Sequence, residues 1–561
     1  MTLGAIGLIL LSLLLSAVSA PPLAAFLPVA AKGAMVVTSE PFASEAGVQI
    51  LKQGGNAVDA AVAVGFALAV THPFAGNIGG GGFMVIHLAN GRNTVIDYRE
   101  EAPEKATRDM YLDGQGAIIP KASTVGSLSV GVPGTVAGLA MAESEYGKLG
   151  LRTVLEPAIK LALDGFPVSH ALSESLRHYS PLLSRFDQSR RIYLRNGNYY
   201  RAGEIFKQPE LAATLELIAQ QGPGAFYDGI IARKIVATMK QYDGLITLAD
   251  LRNYRAIERK PLTGHFRGNE IVTVPPPSSG GVALIEMLNI LEPLNLGPPD
   301  AYHSIHLMTE AMRRAYADRS RYLGDTDFVS VPVAGLLSKA YAANLRAAIL
   351  ASPPDSPIDA GNPMPFEGPD TTHFSIVDAA GDAVSNTYTL NGGYGSGITV
   401  KGAGFLLNNE MDDFTSKPGS PNMYGLIQSE ANAIAPHKRP LSCMTPTIVL
   451  RHGTVRMVVG SPGGSTIMNT VLEVMLNVLV YKMDVLHAVT APRFHDQWKP
   501  NALFLERGRF SADTIARLRQ AGYTLRFLKS MGECEAITVN PKTGWRFGAA
   551  DPRGSGEAVG Y

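Results

Sequence analysis

Apolar residues recur with helical spacing over much of the first half of the chain, and this periodicity predicts where helices lie. Two helices are predicted at residues 45–52 and 57–70, because the glycine-rich segment 54–56 between them suits a helix end and a turn. Most windows between residues 133 and 341 are also helical, most clearly at 135–146, 151–164 and 301–322. The first part of the chain is therefore expected to be rich in helix.

Strand-like segments interrupt this pattern early in the chain. The glycine-rich segment 75–82 opens into an apolar stretch at 83–86, and residues 93–98 read as its partner strand, ending at Arg99. Glycine-rich backbone beside a strand indicates close approach of another strand or of a ligand. Close packing is the more frequent cause.

Alternation with a period of two returns after residue 372. Residues 373–378 and 383–390 alternate around a turn and predict a β-hairpin. If Asp378 faces Ala383, Thr371 lies opposite Leu390, and a register error of one or two residues still leaves hydroxyl and amide side chains beside it.

Thr371 is the candidate nucleophile. It follows a proline-rich stretch, residues 352–370, which resembles an exposed linker open to cleavage. If the bond before Thr371 is cut, one residue carries both a hydroxyl and a free amine, whose ordinary pKa of about 7.7 to 8.0 lets it act as a base near neutral pH. His373 is an alternative base. An ordinary strand start is the simpler interpretation of a bare Thr-Thr pair.

A second candidate feature is the turn at residues 460–465, between a strand-like segment at 455–459 and an apolar-faced helix at about 466–480. Unpaired backbone N–H groups at a helix start can stabilise a developing negative charge, as acyl transfer requires. A turn that only lets strand and helix pack is the alternative. The chain has no G-K-[ST], G-x-S-x-G or H-E-x-x-H motif, so phosphate-loop, serine-hydrolase and metalloprotease signatures are absent.

Composition and charge narrow the class of function. The chain has 561 residues, 46% of them hydrophobic, with 58 glycines and 37 prolines, so a large folded core with many shaped loops is expected. With 49 basic and 49 acidic side chains there is no global field to attract nucleic acid, and small-molecule or peptide chemistry is expected instead. Two cysteines, Cys443 and Cys534, cannot build a zinc framework, although one bridge between them remains open.

The amino terminus has the form of a signal peptide. Residues 3–15 are apolar and uncharged but too short to span a bilayer easily, and the small residues 17–20 offer a cleavage site. No basic residue precedes the apolar run, and Pro21 follows the expected cut. We expect residues 1–20 to be a leader that directs the protein to the periplasm or outside the cell; a membrane-anchored terminus is the alternative.

Several ordered motifs together resemble the gamma-glutamyltransferases, or glutathione hydrolases, of the N-terminal-nucleophile hydrolase superfamily. The resemblance runs from about Gly33 to Tyr561. The motifs that carry it are Gly54-Gly55-Asn56-Ala57-Val58-Asp59-Ala60-Ala61, Asn77-Ile78-Gly79-Gly80-Gly81-Gly82-Phe83, Pro275-Pro276-Pro277-Ser278-Ser279-Gly280-Gly281, Asp370-Thr371-Thr372-His373, Thr387-Tyr388-Thr389-Leu390-Asn391, Leu406-Leu407-Asn408-Asn409-Glu410-Met411-Asp412-Asp413-Phe414, Arg439-Pro440-Leu441-Ser442 and Gly460-Ser461-Pro462-Gly463-Gly464.

The resemblance implies an α+β fold, the four-layer αββα sandwich of this superfamily, formed by one catalytic domain of two subunits. It implies a precursor that cleaves itself between Asp370 and Thr371, giving a large subunit (residues 21–370) and a small catalytic subunit (residues 371–561). The implied substrates are glutathione and other gamma-glutamyl compounds, with water, an amino acid or a dipeptide as acyl acceptor. Neither a cofactor nor a metal ion is expected.

The resemblance also implies roles for individual residues. Thr371 attacks the gamma-amide carbonyl, Thr389 tunes it by a hydrogen bond, and the N–H groups of Gly463 and Gly464 form the oxyanion hole. The residues implied to bind the gamma-glutamyl group are Arg99 and Ser442 for its α-carboxylate, and Asn391, Glu410 and Asp413 for its α-ammonium. The segment 422–425 resembles the lid of the family over the acyl site.

One position departs from the family pattern. The family commonly has a second serine after Ser442, whereas this chain has Cys443, whose thiol is a weaker donor than a hydroxyl. Affinity for the α-carboxylate is expected to fall if the side chain is used and to change little if only the backbone N–H is used. Two other functions stay open: a related acylase acting on glutaryl or cephalosporin-type side chains, and an envelope binding protein that never matures.

Overall fold

A computed structural model describes residues 27–195, 197–354, 356–358 and 372–561 of the chain. The candidate nucleophile Thr371, the leader at residues 1–20 and most of the proline-rich stretch lie outside the described residues. Among those that are described, no helix has both the length and the apolar character needed to cross a membrane.

The described residues form strands that belong mainly to two large sheets. In chain order they are β1 (Val29–Ala31), β2 (Met35–Thr38), β3 (Gly81–His87), β4 (Asn93–Asp97), β5 (Phe166–Pro167), β6 (Ile205–Phe206), β7 (Ile257–Arg259), β8 (Leu262–Phe266), β9 (Asn269–Thr273), β10 (Thr372–Val377), β11 (Ala383–Thr389), β12 (Thr447–Arg451), β13 (Thr454–Gly460), β14 (Phe494–His495), β15 (Leu503–Glu506), β16 (Leu525–Leu528), β17 (Glu535–Val539), β18 (Arg546–Ala550) and β19 (Glu557–Gly560).

The helices of the described residues confirm the predicted early helix pair and the helical character of the segment that follows. In chain order they are α1 (Pro41–Lys52), α2 (Ala57–Thr71), α3 (Thr135–Tyr146), α4 (Leu151–Asp164), α5 (His170–Leu183), α6 (Asp187–Tyr193), α7 (Pro209–Gln221), α8 (Gly224–Tyr227), α9 (Ile230–Gln241), α10 (Leu248–Asn253), α11 (Gly280–Leu291), α12 (Tyr302–Tyr322), α13 (Val333–Leu336), α14 (Lys339–Ala351), α15 (Ile467–Leu479), α16 (Val485–Thr490) and α17 (Ala512–Gln520).

Two sheets of seven strands each, within the described residues, stack face to face. One has the order β19-β2-β10-β11-β3-β4-β7 and the other β1-β18-β17-β13-β12-β9-β8. Apolar side chains from both, such as Val85 and Ile448, share one core between the sheets. Helices α2 and α3 pack on the outer face of the first sheet, with α4 against α2. Helices α11 and α15 pack on the outer face of the second, with α12 against α11. The expected four-layer α+β sandwich is confirmed.

The hairpin of β10 and β11 is present, but its register is one residue away from the prediction. Thr372 pairs with Tyr388 and Val377 with Ala383, so the predicted pairing of Asp378 with Ala383 is wrong, while the predicted position of Thr371 opposite Leu390 lies outside the described residues. Asp378 belongs to the turn instead, where its Oδ1 accepts bonds from the N–H groups of residues 380, 381 and 382. A side chain that satisfies three turn donors shortens the paired segment.

The glycine-rich segment before β3 brings the backbone of this strand close to the end of β11. A Cβ on Gly80 would lie 2.0 Å from the carbonyl oxygen of Thr389, and one on Gly79 would lie 2.0 Å from that of Leu406. No other residue fits this spacing without displacing backbone. Close packing therefore explains these two glycines, and the packing fixes the position of Thr389.

Candidate active site

Most of the predicted site residues line one small cavity at the end of β11. Its volume is about 20 Å³, and its walls are formed by Arg99, Thr389, Asn391, Glu410, Asp413, Tyr424, Leu426, Ser442, Cys443, Met444, Gly464 and Ile467. Gly463 immediately precedes the lining residue Gly464, and Thr371 lies outside the described residues. Residues far apart in the sequence thus converge on one point.

Arg99 occupies the centre of an ion-pair cluster in this cavity. It follows β4, and its backbone N–H donates to Asp97 Oδ1 (2.9 Å) while its Nε donates to the carbonyl oxygen of Pro440 (3.1 Å). Its Nη1 pairs with Glu410 Oε1, and its Nη2 donates to Asp413 Oδ2 (2.6 Å). Both acids lie on the single 3₁₀ turn Glu410–Asp413, which places two carboxylates against one guanidinium.

Burial makes the charges of this cluster interdependent. Desolvation raises the pKa of Glu410 well above its usual value. The positive charge of Arg99 opposes this rise, and the negative charges of Glu100 and Asp413 add to it. Burial also raises the pKa of Glu100, which lies 3.6 Å from Arg99 Nη1, to about 7. Burial alone would lower the pKa of Arg99, but the surrounding carboxylates outweigh it and keep the guanidinium charged. Sequence reasoning missed Glu100, because an acid after an arginine at a strand end resembles an exposed pair.

Thr389 and Asn391 form one wall of the cavity. The Asn391 N–H donates to Thr389 Oγ1 (2.9 Å), and Asn391 Nδ2 donates to the carbonyl oxygen of Asn409 (3.1 Å). Asn391 has a φ of 74°, a left-handed conformation that asparagine tolerates better than most residues. The chain turns here, at the end of β11, so that both side chains line the same cavity.

The Gly463-Gly464 segment forms a second wall, and it lies, as predicted, in a turn between a strand, β13, and a helix, α15. A 3₁₀ turn, Gly464–Thr466, leads directly into α15. Gly463 and Gly464 have φ values of 132° and 53°. Their N–H groups donate to no atom of the described residues, and two unengaged amides at adjacent positions are suited to an oxyanion.

Ser442 and Cys443 lie on a segment that pairs with the proline-rich loop before α11. The Ser442 N–H donates to the carbonyl oxygen of Pro277 (2.9 Å), and Ser442 Oγ accepts a bond from the Met444 N–H (3.1 Å). Cys443 and Cys534 are both free thiols, so the possible bridge between them does not form. Burial raises the pKa of the Cys443 thiol, which favours its neutral form.

The segment predicted as a lid, residues 422–425, packs against the wall of the cavity. The Tyr424 hydroxyl donates to the carbonyl oxygen of Asn391 (2.6 Å), and its ring covers Gly464 so closely that a Cβ there would lie 2.5 Å from Cδ1. Asn422 Nδ2 donates to Asp413 Oδ1 (3.0 Å). These contacts connect the segment to both the acid cluster and the candidate oxyanion hole.

His373, the alternative base, is fully buried between the two sheets. Its Nδ1 hydrogen bonds with Thr387 Oγ1 (2.9 Å) and its Nε2 with Ser375 Oγ (3.1 Å). Burial lowers the pKa of His373 to about 3, so the imidazole is neutral near pH 7. Both ring nitrogens are engaged inside the sheet sandwich, which favours a structural role for this residue.

Comparisons with known proteins agree with this geometry. The gamma-glutamyltranspeptidase family model matches residues 43–561. A glutathione hydrolase proenzyme from Escherichia coli (strain K12) is 49% identical over 536 residues, which cover 94% of this chain and 92% of that protein. Among solved structures, a cephalosporin acylase from Bacillus halodurans has a TM-score of 0.84 at 27% identity, covering 95% of this chain and 97% of its own. A gamma-glutamyltranspeptidase chain from Helicobacter pylori has a TM-score of 0.55 at 48% identity, covering 57% of this chain and 92% of its own.

Proposed function

Because the chain belongs to the gamma-glutamyltranspeptidase family, we propose that Thr371 is its nucleophile and that the cavity beside Thr389 binds the gamma-glutamyl group of the donor. The chain is an enzyme, and its family activities are hydrolysis of glutathione and transfer of gamma-glutamyl groups. The observation that carries the assignment of the site is the convergence of Arg99, Glu410 and Asp413 in one buried cluster.

The proposed reaction begins with hydrolysis of the Asp370–Thr371 peptide bond, which consumes one water molecule and leaves a carboxylate on Asp370 and a free amine on Thr371. The amine removes the proton from the Thr371 hydroxyl, whose oxygen attacks the gamma-carbonyl carbon of the donor. The N–H groups of Gly463 and Gly464 stabilise the resulting oxyanion. The C–N bond then breaks and the leaving amine takes the proton. Water or the amine of an amino acid or dipeptide next attacks the threonine ester; the Thr371 amine takes a proton from this group, the acyl C–O bond breaks, and the proton passes to the Thr371 oxygen.

Charge complementarity explains why this cavity would select a gamma-glutamyl group. The α-carbon of the donor carries a carboxylate and an ammonium, and the cavity wall offers a guanidinium bound to two carboxylates. Binding would replace the ion pairs within the protein by equivalent pairs with the ligand, the α-carboxylate on Arg99 and the α-ammonium on Glu410 and Asp413. Such an exchange keeps every buried charge paired, which a buried site requires.

Maturation is tested by a denaturing gel of the purified protein. Two chains are expected, and the smaller should give an amino-terminal sequence that starts at Thr371. Thr371→Ala should remain a single, inactive chain, because both the attacking hydroxyl and the later nucleophile are lost. Thr372→Ala is the matched control: among the described residues Thr372 Oγ1 donates to Ser39 Oγ (3.0 Å), which does not line the cavity, so this variant should still be cleaved. Cleavage of Thr371→Ala at the wild-type rate would contradict self-processing.

A related acylase activity is the second candidate, since the chain resembles a cephalosporin acylase over nearly its whole length. A glutaryl side chain has a carboxylate for Arg99 but no ammonium for Glu410 and Asp413. Wild-type turnover of gamma-glutamyl and glutaryl 4-nitroanilides separates the two, and equal or faster glutaryl turnover would overturn the gamma-glutamyl assignment. A binding protein that never matures would hydrolyse neither anilide.

Export and acceptor use complete the proposal. We place the mature enzyme in the periplasm or outside the cell, because residues 1–20 have the composition of a leader. Fractionation of cells that express the full chain, with sequencing of the mature amino terminus, tests this location.

Incubation with glutathione, with and without glycylglycine, tests transfer. The product gamma-glutamyl-glycylglycine should form only when the dipeptide is present.

A further inference from the structure

Arg319, on α12, is a buried cation for which the described residues provide no carboxylate. Its exposed fraction is 2%, and none of the ion pairs among the described residues includes it. Its Nε donates to Ser279 Oγ (3.0 Å), while its Nη1 donates to no described atom. An isolated charge inside a protein is costly, so a buried guanidinium of this kind is suited to an anion.

The other buried arginines of α12 are paired in the ordinary way. Glu310 accepts bonds from Arg313 Nη1 (2.8 Å) and Arg314 Nη1 (2.6 Å), which lie three and four residues further along the helix. Around Arg319, the positions three and four residues away on either side are alanine, tyrosine, tyrosine and leucine. The helix therefore provides no acidic partner for Arg319, although one turn earlier it provides Glu310 for Arg313 and Arg314.

Ser279 connects Arg319 to the wall of the cavity. Ser279 Oγ donates to the carbonyl oxygen of Ser442 (2.6 Å), and the Ser279 N–H donates to the same oxygen (2.9 Å). The peptide unit between Ser442 and Cys443 therefore accepts two hydrogen bonds on its carbonyl side, one from a serine that Arg319 polarises. The N–H of this peptide, on Cys443, donates to no described atom. Hydrogen bonds in series strengthen one another, so this N–H should be a strong donor.

The charge balance of the cavity indicates what this donor would bind. The positive charge of Arg99 is already matched by Glu410 and Asp413. The donor brings an ammonium as well as a carboxylate and so adds no net charge, but Arg319 lies beside Cys443, just behind the wall formed by the Ser442-Cys443 segment. Arg319 is thus a positive charge without a carboxylate partner among the described residues, behind the part of the wall where the donor's carboxylate would lie.

We propose that Arg319 is a positioning residue that makes the enzyme require a carboxylate on the acyl group of its donor, acting through Ser279 and the Ser442–Cys443 peptide. This inference rests on the proposed function of the cavity, and it assigns the Pro275–Gly281 motif a role as the link between α12 and the site. Arg319 does not touch the reacting atoms. Its effect should therefore appear in KM for donors that carry the carboxylate and leave kcat largely unchanged.

The test compares three 4-nitroanilide donors on the matured enzyme. The gamma-glutamyl donor has both α-substituents, the glutaryl donor lacks the ammonium, and the 4-aminobutyryl donor lacks the carboxylate. Arg319→Met should raise KM roughly tenfold to a hundredfold for the first two donors, the range expected for loss of a charge-assisted hydrogen-bond network, and less than about twofold for the third. Arg319→Lys, which keeps the charge, should recover most of the loss.

Arg314→Met is the matched control, because it removes a buried arginine from the same helix without affecting Ser279. This substitution should change KM for the three donors by a common factor. If Arg319→Met does not mature, Arg319→Lys and Ser279→Ala provide the test, each expected to raise KM several-fold for the carboxylate donors alone. A common change across all three donors in these variants would show that Arg319 is only structural and would overturn the inference.

Failure of the proposed function gives a different result. A wild-type enzyme that prefers the glutaryl donor would contradict the gamma-glutamyl assignment. The effect of Arg319 variants on KM could still be compared between the glutaryl donor, which has the carboxylate, and the 4-aminobutyryl donor, which lacks it. A gamma-glutamyl preference with no donor-dependent effect of Arg319 would reject the inference alone.

Discussion

Replacing Asp413 by asparagine removes one negative charge from the Arg99 cluster while keeping the shape of the side chain. Asp413 Oδ2 accepts a bond from Arg99 Nη2 (2.6 Å), and Asp413 Oδ1 accepts one from Asn422 Nδ2 (3.0 Å). In the proposed complex the same carboxylate binds the α-ammonium of the donor. A hydrogen bond to a charged group contributes roughly 1.5–3 kcal/mol, so KM for the gamma-glutamyl donor should rise roughly 10- to 150-fold.

The glutaryl donor should respond differently to Asp413→Asn. The glutaryl donor has no ammonium, so the substitution removes none of its binding partners. The cluster around Arg99 also becomes more positive by one charge, which favours binding of the glutaryl carboxylate, so KM for this donor should stay the same or fall. The assay is steady-state release of 4-nitroaniline by the matured enzyme, with kcat and KM measured separately for each donor. An unchanged KM for the gamma-glutamyl donor, or an equal rise for the glutaryl donor, would refute the proposed role of Asp413.

Asp412→Asn is the control for this experiment. Asp412 lies on the same turn, but it accepts bonds from Ser123 Oγ (2.7 Å) and the Met423 N–H (2.9 Å) and none from Arg99. Any effect of this substitution should be common to both donors. A selective effect of Asp413→Asn next to a uniform effect of Asp412→Asn would locate the ammonium site at Asp413.

Two further predictions concern the oxyanion hole and pH. Gly464→Ala should lower kcat about a hundredfold to a thousandfold, because its Cβ would displace Tyr424 and the donor N–H with it; a kcat within threefold of wild type would contradict that placement. The pKa of His373 is about 3 in the folded protein against an ordinary 6.5, so the contribution of the neutral imidazole to folding stability is complete above about pH 6.5. That contribution is lost as pH falls toward 3, by about 5 kcal/mol at most. The melting temperatures of wild type and His373→Gln should therefore converge between pH 7.5 and pH 4, and a constant difference between them would count against this role.

The sequence was sufficient to predict elements whose pattern is local. The helix pair α1 and α2 follows from apolar spacing and from a cap, since Asn56 Oδ1 accepts bonds from the N–H groups of residues 58 and 59. The β10–β11 hairpin follows from alternation, but its register depends on Asp378, whose three turn bonds no periodicity contains. Local pattern therefore predicts where elements lie better than it predicts how they pair.

Buried charges were the part of the site that sequence pattern could not supply. The region of α12 that contains Arg313, Arg314 and Arg319 is polar, which is typical of an exposed helix, yet all three arginines are buried. Their environment is created by segments distant in sequence, such as the loop that carries Ser279. The family resemblance implied that Arg99 and Asp413 bind opposite charges of the substrate, but only the folded chain reveals that each is the ion-pair partner of the other.

The arrangement of strands also explains why cleavage before Thr371 would not separate the two products. In the first sheet, β10 and β11, which follow the cleavage site, lie between β2 and β3, which precede it. Strands of the two products therefore pair with each other within one sheet. Arg99 comes from the first half and pairs with Glu410 and Asp413 from the second, and Ser279 from the first holds the carbonyl of Ser442 from the second. Neither half can form the cavity alone. The mature enzyme should therefore remain a complex of both products, and separating them should abolish activity even though Thr371 and the oxyanion donors lie together in the smaller one.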